Sequence, residues 1–181
     1  HFTIITGREE DVMASRGRLA DLICARRPEG SGEEITFSVM LETALLDTGR
    51  PVLVLPPSAP VKFGKSIAIY WNGSPEVGKA INYAMPFLEK SEKVSVLEVG
   101  TESQSGPGAE DVVRYLAWHG VKAEWLELGR KGSDSESLLA SAIAVGADML
   151  VMGAYTRSRL RRLVFGGVTR DVLTRSGLPV L

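Results

Sequence analysis

From Lys65 to Leu181 the chain alternates short, nearly continuous apolar runs with stretches that carry apolar residues at helical spacing, five times in succession. A strand that is apolar on both sides needs cover on both faces, and strands connected through helices pair in parallel. The runs are KSIAIYW (Lys65–Trp71), KVSVLEV (Lys93–Val99), KAEWLEL (Lys122–Leu128), DMLVMG (Asp148–Gly153) and the terminal LPVL. Between the first two, Val77, Ala80, Ile81, Ala84 and Leu88 predict a helix over Pro75–Leu88, which Pro86 should bend or close. Val112, Val113 and Leu116 predict a second helix over Ala109–His119, with Gly120 just past its end. Ser133 and Glu136 form a capping box for a third, which uses Leu139, Ala142 and Ile143 and stops at Gly146. A fourth spans about Val168–Ser176. The expected class is α/β, a five-stranded parallel sheet with right-handed crossovers. The pattern leaves the strand order open.

The chain also repeats itself. ADLICAR (Ala20–Arg26) matches ADMLVMG (Ala147–Gly153), and GRPVL (Gly49–Leu53) matches GLPVL (Gly177–Leu181), at offsets of 127 and 128 residues. Two blocks that keep their separation to within one residue predict a tandem duplication of one domain. Residues 61–181 are the complete copy. Residues 1–60 are a partial one, with a third strand over Phe2–Thr6, a helix near Glu9–Arg18, a fourth strand over Leu22–Ala25, a helix near Glu34–Leu46 and a fifth strand over Val52–Leu55. The first two strand–helix units have no counterpart there, and His1 stands where a methionine would begin a chain, so an N-terminal truncation is expected. PPSAPVKFG (Pro56–Gly64), with its three prolines, is a stiff linker.

Net charge is -1 across 181 residues, which speaks against nucleic acid as a partner. One cysteine, Cys24 in an apolar run, makes no disulfide within the chain and is expected to be a small buried hydrophobe in a reducing, cytoplasmic setting. His1, His119 and Cys24 are too few for a metal cluster, and no apolar run suffices to span a bilayer. His119 reads as a helix-end residue beside Gly120, and Trp71, Trp118 and Trp125 as core or interface residues.

Ligands of open parallel sheets settle at the carboxyl ends of the strands. Two such ends are rich in glycine and small polar residues: Asn72-Gly73-Ser74, and GAYTRSRLRRLVFGG (Gly153–Gly167). The second leads from a strand to a helix start, where free amides and the helix dipole favour an anion. It carries Arg157, Arg159, Arg161 and Arg162, and a solvated basic loop is the plain alternative.

The spacing Gly153, Thr156, Gly166, Gly167 after ADMLVM and before LPVL, together with WNGSPEVGKAINYAMPFL (Trp71–Leu88), resembles the universal stress protein family. The resemblance covers residues 65–181 and, as a partial copy, residues 1–60. It implies a flavodoxin-like (Rossmann-like) five-stranded domain of order 3-2-1-4-5, a homodimer packed through the last strand, and in some members bound ATP with magnesium. The ATP-binding members use an acid at the first strand end and a G-x2-G-x9-G-[S/T] motif. Here Asn72 replaces the acid, Thr156 the second glycine and Gly167 the final hydroxyl, with Thr169 close by. In the implied site Gly153, Gly166 and Gly167 give backbone access, Thr156 and Thr169 donate hydroxyls, and Arg157 and Arg159 neutralise phosphate. Asn72 and Val99 flank the base, and Gly73, Ser74, Met152 and Val168 complete the set. Residues 1–60 keep neither glycine: Arg26 and Val39 stand at those places.

No catalyst is found. A P-loop motif is absent, the first strand end lacks the acids of a receiver domain, and no Ser/His/Asp set is available. The expected activity is binding of an adenine nucleotide or another phosphate-bearing molecule and dimerisation, not turnover. The three departures from the motif keep a rival open: an interaction module that binds no nucleotide and pairs through its last strands.

Overall fold

The structure, a computed structural model, describes residues 2–27, 39–58, 60, 62–99, 106–128, 132–154 and 167–181. Helix α1 (Glu9–Arg16), strand β1 (Ile23–Arg26), helix α2 (Val39–Asp47) and strand β2 (Val52–Leu55) come first. Then follow β3 (Ser66–Trp71), α3 (Pro75–Leu88), β4 (Lys93–Val99), α4 (Ala109–Trp118), β5 (Ala123–Leu128), α5 (Asp134–Ala144), β6 (Met149–Met152) and α6 (Gly167–Arg175).

Strands β5-β4-β3-β6 hydrogen-bond in that order, all in parallel. The terminal run LPVL continues this sheet as a single bridging residue rather than a full strand. Val180 pairs in parallel with Leu150 of β6 and antiparallel with Val54 of β2. Counting that run as the fifth strand, residues 65–181 have the order 3-2-1-4-5 that the resemblance implies. Its outer edge is taken by β2, which pairs in parallel with β1. The Val180 amide donates to Val54 (2.9 Å) and the Val54 amide donates to Val180 (2.7 Å), so one hydrogen-bonded surface runs through both parts of the chain.

Both faces are covered over β3, β4 and β6. On one, Val77, Ile81, Ala84 and Leu88 of α3 and Ala109, Val112 and Leu116 of α4 pack with Ile67, Ile69, Val94, Val96, Met149 and Val151. On the other, Leu138 and Ala142 of α5, Val172 and Leu173 of α6, and Leu41 and Ala44 of α2 pack with Ala68, Tyr70, Leu97 and Leu150. Burial there pushes the Tyr70 phenol up to about 12, and the charge of Asp134 adds to the shift.

Local chemistry explains the helix limits. Ser74 caps α3, its hydroxyl accepting from the Val77 amide, with Pro75 in the first turn. Pro86 sits late enough that α3 still runs to Leu88. Ser133 and Glu136 form the expected reciprocal cap of α5, and Gly146 follows at φ 70°. On α5 Ser135, Ser137, Leu138 and the expected Ala142 are buried, the expected Leu139 packs partly buried against the same core, and Ile143 lies 71% exposed instead.

Two further expectations are corrected, and the tryptophans divide between their two alternatives. Phe2–Thr6 forms no strand, and Phe2 and Ile4 are exposed. In the order 3-2-1-4-5 a third strand bonds only to a second, and none of the described residues before β1 forms one. Cys24 is exposed, because β1 alternates buried and exposed residues and its outward face carries Cys24 and Arg26. Trp71 is buried and donates from Nε1 to the Pro107 carbonyl (2.9 Å). Trp118, off the buried stripe of α4, and Trp125, on the edge strand β5, face outward, which leaves the core alternative to Trp71 and the interface alternative to these two.

Asp148 ties the linker to the sheet. Its carboxylate, at the foot of β6, accepts from the amides of Gly64 (2.9 Å), Lys65 (3.0 Å) and Ser66 (3.1 Å), which fixes the start of β3 beside it. Among the described residues no helix is long and apolar enough to cross a membrane.

Candidate functional site

The carboxyl ends of β3 and β6 lie side by side, in register from Ile67–Met149 to Tyr70–Met152. This brings Asn72, Gly73 and Ser74 close to Met152 and Gly153. The first three have local duties. The Asn72 side-chain oxygen accepts from the Ser74 amide (3.1 Å), and Gly73 holds φ 70°, a conformation that favours glycine. Ser74 then starts α3. The resulting turn is tight and exposes Asn72 to solvent.

Gly153 has a steric reason to be glycine. A Cβ there would lie 2.6 Å from the Val77 nitrogen and 2.9 Å from the Glu76 carbonyl carbon. The first turn of α3 therefore packs directly on the backbone leaving β6. Glu76, in that turn, is half-buried, and its Oε2 is sealed from solvent without a hydrogen-bond partner among the described residues. Met152 is buried, with its amide donating to the Leu181 carbonyl (2.9 Å).

Gly167 is the first described residue of α6, and among the described residues nothing lies near the place of a Cβ on it. Val168 packs against the core, and Thr169 is buried on the same inner face as Val172 and Leu173. The backbone of Val99 ends β4 beside Leu128. Thr156, Arg157, Arg159 and Gly166 lie outside the described residues. The structure thus brings together Asn72, Gly73, Ser74, Met152 and Gly153.

Three further residues escaped the sequence reading. Gly106 approaches the site, since a Cβ there would meet the Gly73 carbonyl oxygen at 3.3 Å. Its neighbourhood is held by the Trp71–Pro107 bond and by Glu98, which accepts from the Ala109 amide (3.2 Å). Arg27 is the third. Its Nη1 donates to the carbonyls of Leu173 (3.0 Å) and Ser176 (2.9 Å), at the end of α6 opposite the candidate anion site. Burial lowers its pKa, and its cation there complements the helix dipole.

Comparison with known proteins follows from this geometry. Residues 65–181, the span from β3 through Val180, match the sequence model described as "Universal stress protein family". The chain belongs to the universal stress protein family. A stress response protein of Bacillus subtilis (strain 168), NhaX, is 37% identical over 51 residues, which are 28% of this chain and 31% of that protein. A universal stress protein from Archaeoglobus fulgidus DSM 4304 shares the fold with a TM-score of 0.76 at 16% identity, over 94% of this chain and 65% of that one. A functionally unknown protein from Pseudomonas aeruginosa PAO1 matches with a TM-score of 0.63 at 16% identity, over 97% of this chain and 67% of that one. This chain therefore spans less than two thirds of the length of the first two. The two structural matches extend the shared fold beyond residues 65–181 to nearly the whole chain.

Proposed function

We propose that this universal stress protein works by binding and not by turnover, taking an adenine nucleotide or another phosphate-bearing small molecule at the carboxyl edge of β3 and β6. The observation that carries the reading is the adjacency of those two strand ends, with an exposed Asn72 above them. The N-terminal side of α6, where no described residue crowds Gly167, would supply amides for the phosphates, with Arg157, Arg159, Thr156 and Gly166 contributing from the segment between. ATP, with magnesium, is the ligand to test first, in the cytoplasmic setting that the sequence suggests.

The test is a thermal-shift titration with ATP and magnesium. Ligand at one hundred times its Kd stabilises by about 2.7 kcal/mol. Gly167→Glu meets no described residue at its Cβ and sets an acid in the N-terminal part of α6, so it should keep the fold while removing the shift. A flat response of the unaltered chain sinks the nucleotide reading.

The second reading, an interaction module, is favoured by the two-sided pairing of Val180. We propose with it that residues 1–60 and 61–181 are two copies of one domain. Helices α2 and α6 end 128 positions apart, at Asp47 and Arg175, and Leu41 and Ala44 occupy the buried places of Thr169 and Val172. The antiparallel register of Val54 with Val180 would set Leu53 opposite Leu181, the same offset, as a pair on a twofold axis does. The last-strand pairing is then made within the chain. The proposed homodimer would use another surface, and sedimentation of the purified chain decides whether it forms.

A further inference from the structure

A cleft of about 780 Å³ opens between α3 and the segment Leu45–Val52, a volume in the range of small-molecule sites. Met152, Ala154 and Glu76 bring it alongside the glycine turn, while among the described residues Asn72, Gly73, Gly167 and Thr169 do not line it, so the cleft adjoins that turn and extends away from it along α3. Its rim is already closed at one point: the Tyr83 hydroxyl, on α3, donates to the Gly49 carbonyl (2.9 Å). Leu46, Val52, Met152 and Leu181 supply an apolar wall.

The charges around that wall are unequal. Lys79 is exposed, with its ammonium 5.7 Å from the Tyr83 ring centroid, and among the described residues no carboxylate pairs with it. Arg50 spends its Nε on the Arg18 carbonyl (2.7 Å) and likewise has no carboxylate partner among the described residues. Glu76 is the one acid of the lining among the described residues, and its Oε2 is sealed from solvent. An apolar wall beside two unpaired cations complements a molecule with an apolar body and an anionic end.

We propose that this cleft is a second ligand site, which takes an amphipathic carboxylate with its body against Leu46, Val52 and Leu181 and its headgroup toward Lys79 and Arg50. The probe is decanoate, titrated into the full chain below its micellar range and followed by calorimetry and amide NMR. Saturable binding is expected, with amide shifts centred on α3 and Leu45–Val52. Hexanoate, with less apolar body, should bind more weakly, and neutral decanol should lose most of the affinity. Lys79→Glu and Leu46→Glu, both at exposed positions, should each weaken decanoate by about tenfold or more. Lys90→Glu, the same charge reversal beyond the end of α3, should leave it unchanged. The proposal is overturned by an absence of saturable binding, by decanol binding as well as decanoate, or by indifference to both cleft variants. Adding ATP with magnesium should not displace decanoate. Displacement would merge the cleft with the glycine turn, whereas a failure of nucleotide binding alone leaves this proposal standing.

Discussion

Residues 2–58 and 62–181 contain similar strands and helices, but they differ in how their surfaces are closed. Strand β6 has all four residues buried, because α3 covers one side and α5 and α6 the other. Strand β1, also four residues long, buries only Ile23 and Ala25. Helix α5 begins with a reciprocal cap and buries four residues, whereas α1 begins at Arg8 without a side-chain cap and buries none. The N-terminal part thus owes its order to what it leans on. Its β2 is held by Val180, and its Arg27 is anchored on α6. Secondary structure can therefore persist in a segment that lacks cover of its own, provided a neighbouring sheet supplies the missing edge.

The strongest way to break that dependence is Val180→Pro. Proline removes the amide that donates to Val54 and disturbs the only bridge between the last run and β2 among the described residues. A loss of about 3 kcal/mol or more is expected. Hydrogen exchange should show β1 and β2 losing protection while β3 and β4 keep theirs. Uniform loss would mean that the two parts unfold as one unit.

Gly153→Ala comes next and strikes only the C-terminal part. The added methyl would meet backbone atoms of α3 at 2.6 and 2.9 Å, which cannot yield as a side chain tip can. About 2–3 kcal/mol should be lost in chemical denaturation. A wild-type stability would show that α3 is free to shift. Arg27→Met is smaller and tests the opposite direction of support. It strips two carbonyls at the end of α6 of a charged donor, at a cost of about 2 kcal/mol, with slower-exchanging amides of α6 becoming faster.

What the sequence disclosed, and what it withheld, divides along the same line. Strand and helix positions in residues 65–181 were legible because the runs of β3, β4 and β6 and the stripes of α3 and α4 face covered surfaces, so periodicity and burial agree there. The exposed face of Cys24 and the missing strand at Phe2–Thr6 were not legible, since both depend on neighbours and not on local pattern. The same holds at the site. Gly153 reads locally as a ligand-facing glycine, while its cause is contact with Glu76 and Val77, far back in the chain. Asp148 reads as a strand-start residue, yet it collects amides 82 to 84 positions away. Asn72, Gly73 and Ser74 were found because a turn after a strand is a local signal.

The two helix starts allow the finest comparison. Ser133→Ala should cost about 1 kcal/mol through loss of the α5 cap, and Arg8→Ser should recover part of that for α1 by giving it one, both read from thermal midpoints. Acid titration then separates charge from shape in the α5 cap. The Glu136 carboxyl lies below its ordinary value of 4.5, first because it accepts from the Ser133 backbone amide, then through the Ser133 side chain, with Arg175 adding a smaller share. A carboxyl lowered on folding contributes stability above its unfolded pKa and loses it as pH falls through the folded one. Glu136→Gln keeps the cap's acceptor but not its charge. Its midpoint should therefore lie slightly under that of the unaltered chain at neutral pH, and the two should converge as pH drops below 4.5. A gap that stays constant into acid would assign the effect to geometry alone, and the contrast between α5 and α1 would then rest on hydrogen bonds without help from charge.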